Sequence, residues 1–163
     1  MKKYFVVIIL LLLFKGGYAQ SLSFDVFTYT PPAFFTKSEL PYRVQWSMKN
    51  NDTSFCIITI YKSQPAKDDI MKDIMAQWNE QVVKQLTKAE KKPLKILPEQ
   101  LWDGWTPTLA IGNFYESKKK CIVMLNSFKK DKIAACAVYA INDKSFKEPI
   151  EEFSNKLHLK TTK

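Results

Sequence analysis

The stretch from Lys67 to Lys88, KDDIMKDIMAQWNEQVVKQLTK, constrains this chain more than any other. At 100° per residue, Ile70, Met71, Ile74, Met75, Trp78, Val82 and Leu86 fall within roughly 160° of arc, an apolar stripe that has to be buried against something. Lys72, Asp73, Asn79, Glu80 and Lys84 take the opposite side. Asp68 and Asp69 stand in the first turn and Lys84 and Lys88 towards the last, each with the sign that the helix dipole favours. Pro65 lies just ahead, where a missing N–H costs little. Strand-like segments precede and follow this stretch, so the pattern predicts a sheet folded on one long helix.

The chain opens MKKYFVVIILLLLFKGGYAQ. Lys2 and Lys3 precede an apolar run from Tyr4 to Phe14, and Gly17-Tyr18-Ala19 places small residues at −3 and −1, the layout of a secretory signal peptide cleaved after Ala19. The run is about half the roughly 20 apolar residues that a bilayer span requires, so no stable membrane span is expected once residues 1–19 are gone. The expected location is periplasmic or secreted. Residues 20–163 suffice for a single domain with a real core. They carry 22 basic and 16 acidic residues, a net charge of +6. That is compatible with weak attraction to anionic surfaces, and with no nucleic-acid motif present, nucleic acid is not an expected partner. Cys56, Cys121 and Cys136 each lie in an apolar segment and read as buried small hydrophobes. A turn centred near residue 130 would set Cys121 opposite Tyr139, which does not favour a Cys121–Cys136 disulfide.

Leu22 to Thr30 reads as one aromatic-rich strand ended by Pro31-Pro32. Tyr42 to Lys49 alternates Tyr42, Val44, Trp46 and Met48 with Arg43, Gln45, Ser47 and Lys49, and is predicted to pair with Phe55–Lys62 across Asn50-Asn51-Asp52. KKPLKILPEQ reads as a connector. Three further strands, 108–115, 121–128 and 133–141, form a meander joined by lysine-rich turns. A closing helix beginning near Glu148 carries Ile150, Phe153 and Leu157. The expected fold is therefore α+β: an antiparallel sheet flanked by one long amphipathic helix and a C-terminal helix.

The order of features also carries a resemblance. FTYTPP near the start of the mature chain, the helix bearing Ala76-Gln77-Trp78, then Asp103-Gly104-Trp105, the meander and a short closing helix resemble small exported, uncharacterised proteins of Gram-negative bacteria. The layout is similar to the PsbP-like α/β/α sandwich. After the prolines this chain has Phe34-Phe35 where glycine and tryptophan would be expected. The resemblance implies a fold and a largely non-enzymatic family.

Chemistry-bearing patterns are sparse. His158 is the only histidine, the cysteines are not paired as C-x-x-C, and phosphate-loop and nucleophile-elbow patterns are absent. No catalytic residue, metal site or cofactor is read from the chain, and it is not expected to be an enzyme. Lys118–Lys120 and Lys129–Lys132 should lie at opposite ends of one strand, about 25–30 Å apart at ~3.3 Å per residue. The candidate binding residues are the loop aromatics Phe34, Phe35, Trp102 and Trp105. The tryptophans flank an Asp-Gly turn and are either core staples or, if exposed, a platform. The leading reading is a non-enzymatic binding module for another envelope component, a protein or a glycan. The alternative is a small hydrophobic-ligand binder, with Met71, Met75 and Trp78 lining a pocket between helix and sheet. The sequence leaves the oligomeric state open.

Overall fold

Three long strands generate the sheet, because two-residue turns let their pairing run nearly to the ends. The computed structural model describes residues 20–51 and 53–160, and the signal-peptide reading of residues 1–19 lies outside them. The strands are β7 (Thr106–Glu116), β8 (Lys119–Lys130) and β9 (Ile133–Ile141), the predicted meander with longer strands. Ser117 and Lys118 adopt φ of 49° and 66° between β7 and β8, and Asp131 adopts 51° between β8 and β9. The second turn sits further along than residue 130. Met124, rather than Cys121, therefore faces Tyr139, while Cys121 faces Phe114 and Cys136 faces Ser127. All three cysteines are free and buried. Burial pushes the Cys56 and Cys136 thiols up to about 12, so they behave as small apolar side chains.

On the other side of β9 lies β5 (Phe55–Pro65), and beyond it β4 (Arg43–Lys49), paired as the expected hairpin from Arg43↔Tyr61 to Lys49↔Phe55. Two outer strands were not anticipated: β3 (Thr36–Leu40) and β6 (Lys95–Pro98). Both are polar or proline-bearing and lack apolar alternation, because an edge strand has a neighbour on one side only. The order is β3-β4-β5-β9-β8-β7-β6, antiparallel throughout.

The single strand expected over Leu22–Thr30 is a hairpin. β1 (Leu22–Phe24) and β2 (Phe27–Tyr29) are joined at Asp25-Val26, and β10 (His158–Leu159) pairs with β2 to complete a three-stranded sheet. The turn has no glycine or proline to signal it; Asp25 supplies the positive φ, 51°. Its carboxylate also accepts the Ser63 N–H at 2.6 Å, next to the irregularity between Tyr61 and Gln64 where the β5–β9 register shifts.

This small sheet and α2 (Lys147–Asn155) cover one face of the large sheet. Trp46 packs there, its ring 4.8 Å from that of Tyr29 and 5.3 Å from that of Phe153. The predicted stripe of Ile150, Phe153 and Leu157 is buried. α2 follows a 3-10 turn capped by Asp143, and its Pro149 falls within the first turn, where its N–H has no helical partner.

The other face is covered by α1 (Ile70–Trp78), which widens into a π-helical segment over Asn79–Val83. The helix is shorter than Lys67–Lys88. Asp69 caps its start by accepting the Met71 N–H at 2.8 Å, and the Lys84 N–H bonds back five residues to Asn79 O at 3.1 Å. Ile74, Trp78 and Val82 are the buried line, while Met71 is exposed. Asp73, expected in water, is 3% exposed. Its Oδ1 accepts the Lys67 N–H at 2.6 Å and its Oδ2 lies 3.0 Å from Lys129 Nζ, a charge contact without good hydrogen-bond angles.

Trp78 lies on Gly112 of β7, where an added Cβ would meet its ring at 2.7 Å. Trp78 Nε1 donates to Glu90 O at 2.8 Å, and the Glu90 carboxylate accepts the Asn113 N–H and side-chain amide at 3.1 and 3.0 Å. Gly112→Ala is therefore expected to destabilise by about 1–3 kcal/mol in urea denaturation, and Trp78→Phe in the same chain to recover part of the loss. Burial alone would raise the Asp25 pKa, but the side-chain and backbone hydrogen bonds from Ser63 outweigh it and hold the carboxyl below its ordinary range. The resulting stabilisation is present above the unfolded pKa, near 4, and is lost as pH falls through the depressed folded value. Asp25→Asn should thus be less stable than wild type at neutral pH, and the difference should close on acidification, as followed by thermal unfolding from about pH 7 to pH 2.

Candidate functional site

The α1 side of the large sheet is incompletely covered. After the π-helical segment the chain turns through residues 84–87 and returns along β7, where the Tyr115 N–H bonds Thr87 O at 3.1 Å and the Glu90 N–H bonds Asn113 O at 3.0 Å. This leaves a groove of about 510 Å³ between the end of the helix and the sheet. Phe55, Ile57 and Phe114 form its floor, Gln85, Leu86 and Thr87 one wall, and Lys49, Glu116 and Lys119 charged points on its rim. The Phe55 and Phe114 rings are 6.2 Å apart. A second hollow of about 260 Å³ adjoins it over Arg43, Gln45 and Thr59, sharing Ile57, Gln85 and Leu86.

The rim is pinned by side chains that complete backbone hydrogen bonding. Asn142 Oδ1 accepts the Phe55 N–H at 2.8 Å, and its amide donates to Thr53 O. Asn51 Oδ1 accepts the N–H groups of Thr53 and Ser54 at 2.9 and 2.7 Å. The arrangement is an apolar floor with a polar, hydrogen-bonded rim, on which the Ser54 hydroxyl also donates to Asp143 Oδ2 at 3.3 Å. Among the described residues, no group of three or more His, Cys, Asp or Glu side chains is placed to hold a metal ion. Among the same residues, no helix is long and apolar enough to cross a membrane.

The four aromatic candidates do not form one surface. Trp102 and Trp105 flank the predicted turn, with reciprocal backbone bonds of 3.0 and 2.9 Å and positive φ at Asp103 and Gly104. Trp105 is 0% exposed, so as a contact residue it is corrected to core: its ring joins the cluster with Phe27 and Phe128, and Nε1 donates to Lys160 O at 3.3 Å. Trp102 is half-buried beside Phe128 and the exposed His158, with ring centroids 6.5 and 5.9 Å away. Phe35 is half-buried against the same core, whereas Phe34 is 94% exposed on a backbone of φ 66°.

The expected pocket residues are elsewhere too. Trp78 is core, Met71 is exposed, and neither they nor Met75 line the groove, which opens at the far end of the helical segment. Sequence reading missed Phe55, Ile57, Leu86 and Phe114 because each sits in an ordinary apolar pattern. The one available signal was Phe55–Lys62, apolar on both faces, which requires cover that the helix supplies only in part. The lysine groups do fall at opposite ends of β8, with Lys119 at the groove and Lys129 against Asp73.

The two tryptophans are separable by stability. Trp105→Ala should cost about 3–5 kcal/mol in urea denaturation, as for other large core deletions, and Trp102→Ala about 1–2 kcal/mol. Equal losses would contradict their assigned environments.

No protein-family model matches this chain, and no curated protein matches it. Among solved structures, it is similar to a protein from Bacteroides thetaiotaomicron, with a TM-score of 0.53 and 10% identity over 87% of this chain and 48% of that one. It is also similar to a Pseudomonas aeruginosa protein of unknown function, with a TM-score of 0.47 and 11% identity over 83% of this chain and 90% of that one. This chain thus spans about half the length of the Bacteroides structure. At 10% identity that likeness concerns the fold alone, an α+β arrangement with antiparallel sheets.

Proposed function

We propose that this chain is an exported, non-catalytic binding domain of the cell envelope, with a PsbP-like α/β/α sandwich, that holds a small apolar or amphiphilic molecule in the groove between the helical segment and the sheet. The observation that carries this reading is the groove itself. Its volume, about 510 Å³, lies within the roughly 300–1,000 Å³ typical of small-molecule sites, and apolar side chains floor it beneath a hydrogen-bonded rim. Export and the family resemblance are supported by the N-terminal layout and by the order of aromatic, proline and glycine features in the sequence.

A second reading, docking of an envelope protein or glycan through loop aromatics, is favoured by Phe34, a large apolar side chain held almost wholly in water. The burial of Trp105 and the partial burial of Phe35 and Trp102 leave that reading a smaller surface than four exposed rings would provide.

Ser47 lines the groove from β4 opposite Ile57, so Ser47→Trp fills the hollow from its half-buried edge. With a polarity-sensitive anilinonaphthalene dye as the probe, Ser47→Trp is expected to weaken binding by about tenfold or more with Tm within about 3 °C of wild type. Phe34→Ala should leave dye binding unchanged. Dye binding indifferent to Ser47→Trp but abolished by Phe34→Ala would overturn the groove in favour of the aromatic loop.

A further inference from the structure

We propose that the β3 edge is a self-pairing surface through which two copies of this chain join their large sheets. Among the described residues β3 is the outermost strand, hydrogen-bonded to β4 on one side only, and all five of its residues are exposed. Among the described residues its other side presents unpaired backbone donors and acceptors, the template for another strand. The occupant is a second copy because the strand is complementary to itself. In Thr36-Lys37-Ser38-Glu39-Leu40, antiparallel pairing about a two-fold axis at Ser38 sets Lys37 opposite Glu39 of the second copy, and does so twice. Moving the axis to Lys37 or to Glu39 puts like charges face to face, so the charge pattern selects one register.

The side chains on each face agree with this pairing. Lys37 and Glu39 stand opposite Trp46 and Val44 of β4 and form an ion pair of 2.5 Å within one chain, still largely in water and free to exchange partners. Three large exposed apolar side chains lie on or beside this short edge: Phe34 at 94%, Leu40 at 38% and Tyr42 at 55% exposure. About the Ser38 axis, Leu40 meets Thr36 of the second copy, and the turns that carry Phe34 and Tyr42 flank the paired segment at its two ends. The opposite edge of the sheet is built differently: β6 carries Lys95 without an acidic counterpart and ends in Pro98, which cannot donate. A guarded edge repels its own kind, whereas β3 has no net charge.

The test is sedimentation velocity on the purified chain, with charge exchange as the discriminating series. Wild type should form a dimer with a Kd of about 10–100 µM. Lys37→Glu and Glu39→Lys should each raise that Kd at least about tenfold, because each sets like charges together. An equimolar mixture of the two should regain the dimer as a heterodimer, and the Lys37→Glu, Glu39→Lys double exchange should regain it alone. Ser38→Cys, at the axis, should give a homodimer with a short bismaleimide cross-linker, since the three native cysteines are buried. A wild type monomeric to about 500 µM overturns the proposal, as does a dimer indifferent to both reversals or a mixture that fails to restore it.

Discussion

The central strand β9 has to be covered on both faces, and the rest of the structure follows from that requirement. Every residue from Ala134 to Ile141 is buried, and β9 stands fourth in a sheet of seven strands. Its alternating side chains enter two separate cores. Ala135, Ala137, Tyr139 and Ile141 pack with the small sheet and α2, while Cys136, Val138 and Ala140 pack with α1. Neither cover suffices alone, because an uncovered face would leave a contiguous apolar surface in water. The alanines of β9 share these cores with large rings: Ala135 and Ala137 with Trp46, Tyr29 and Phe153, and Ala140 with Trp78.

Carboxylates and amides close the places where this layering interrupts backbone pairing. Asp25 takes the Ser63 N–H beside the irregular part of β5, Asp73 takes the Lys67 N–H ahead of α1, and Glu90 takes the Asn113 N–H on β7. Asn51 and Asn142 do the same at the turn beside the groove. A backbone N–H left without a partner away from water costs about as much as a lost hydrogen bond, so each acceptor stabilises the irregular segment that it completes. This accounts for Asp25, Asp73 and Glu90 in structural terms. It also makes the groove's rim an ordered feature.

The unequal cover of the two faces is what leaves the groove and the open edge. The small sheet and α2 pack into one continuous core over the first face, whereas the helical segment on the second is short and turns away after Val83. The β4–β5 side of that face is left as a hollow, and β3 beyond it as an open edge.

The sequence by itself determined the α+β class, the antiparallel meander, the β4–β5 hairpin, the burial of Ile74, Trp78 and Val82, the stripe on α2 and the Asp103-Gly104 turn. These rest on local period, turn chemistry and cap residues, which act over a few positions and are written in the chain. Only the tertiary structure decided the rest. β3 and β6 became strands because neighbours offered them hydrogen bonds, although their own side chains carry no alternation. The Leu22–Thr30 segment broke into a hairpin at an Asp25 that is held by a distant Ser63. Asp73 left the helix's wet side because Lys67 and Lys129 were brought to it, and Trp105 turned inwards with Phe27 and Phe128 rather than outwards as a contact residue. The groove follows the same logic: it is space left where a helical segment ends over a sheet, and space belongs to the assembly of elements and not to any one stretch of residues.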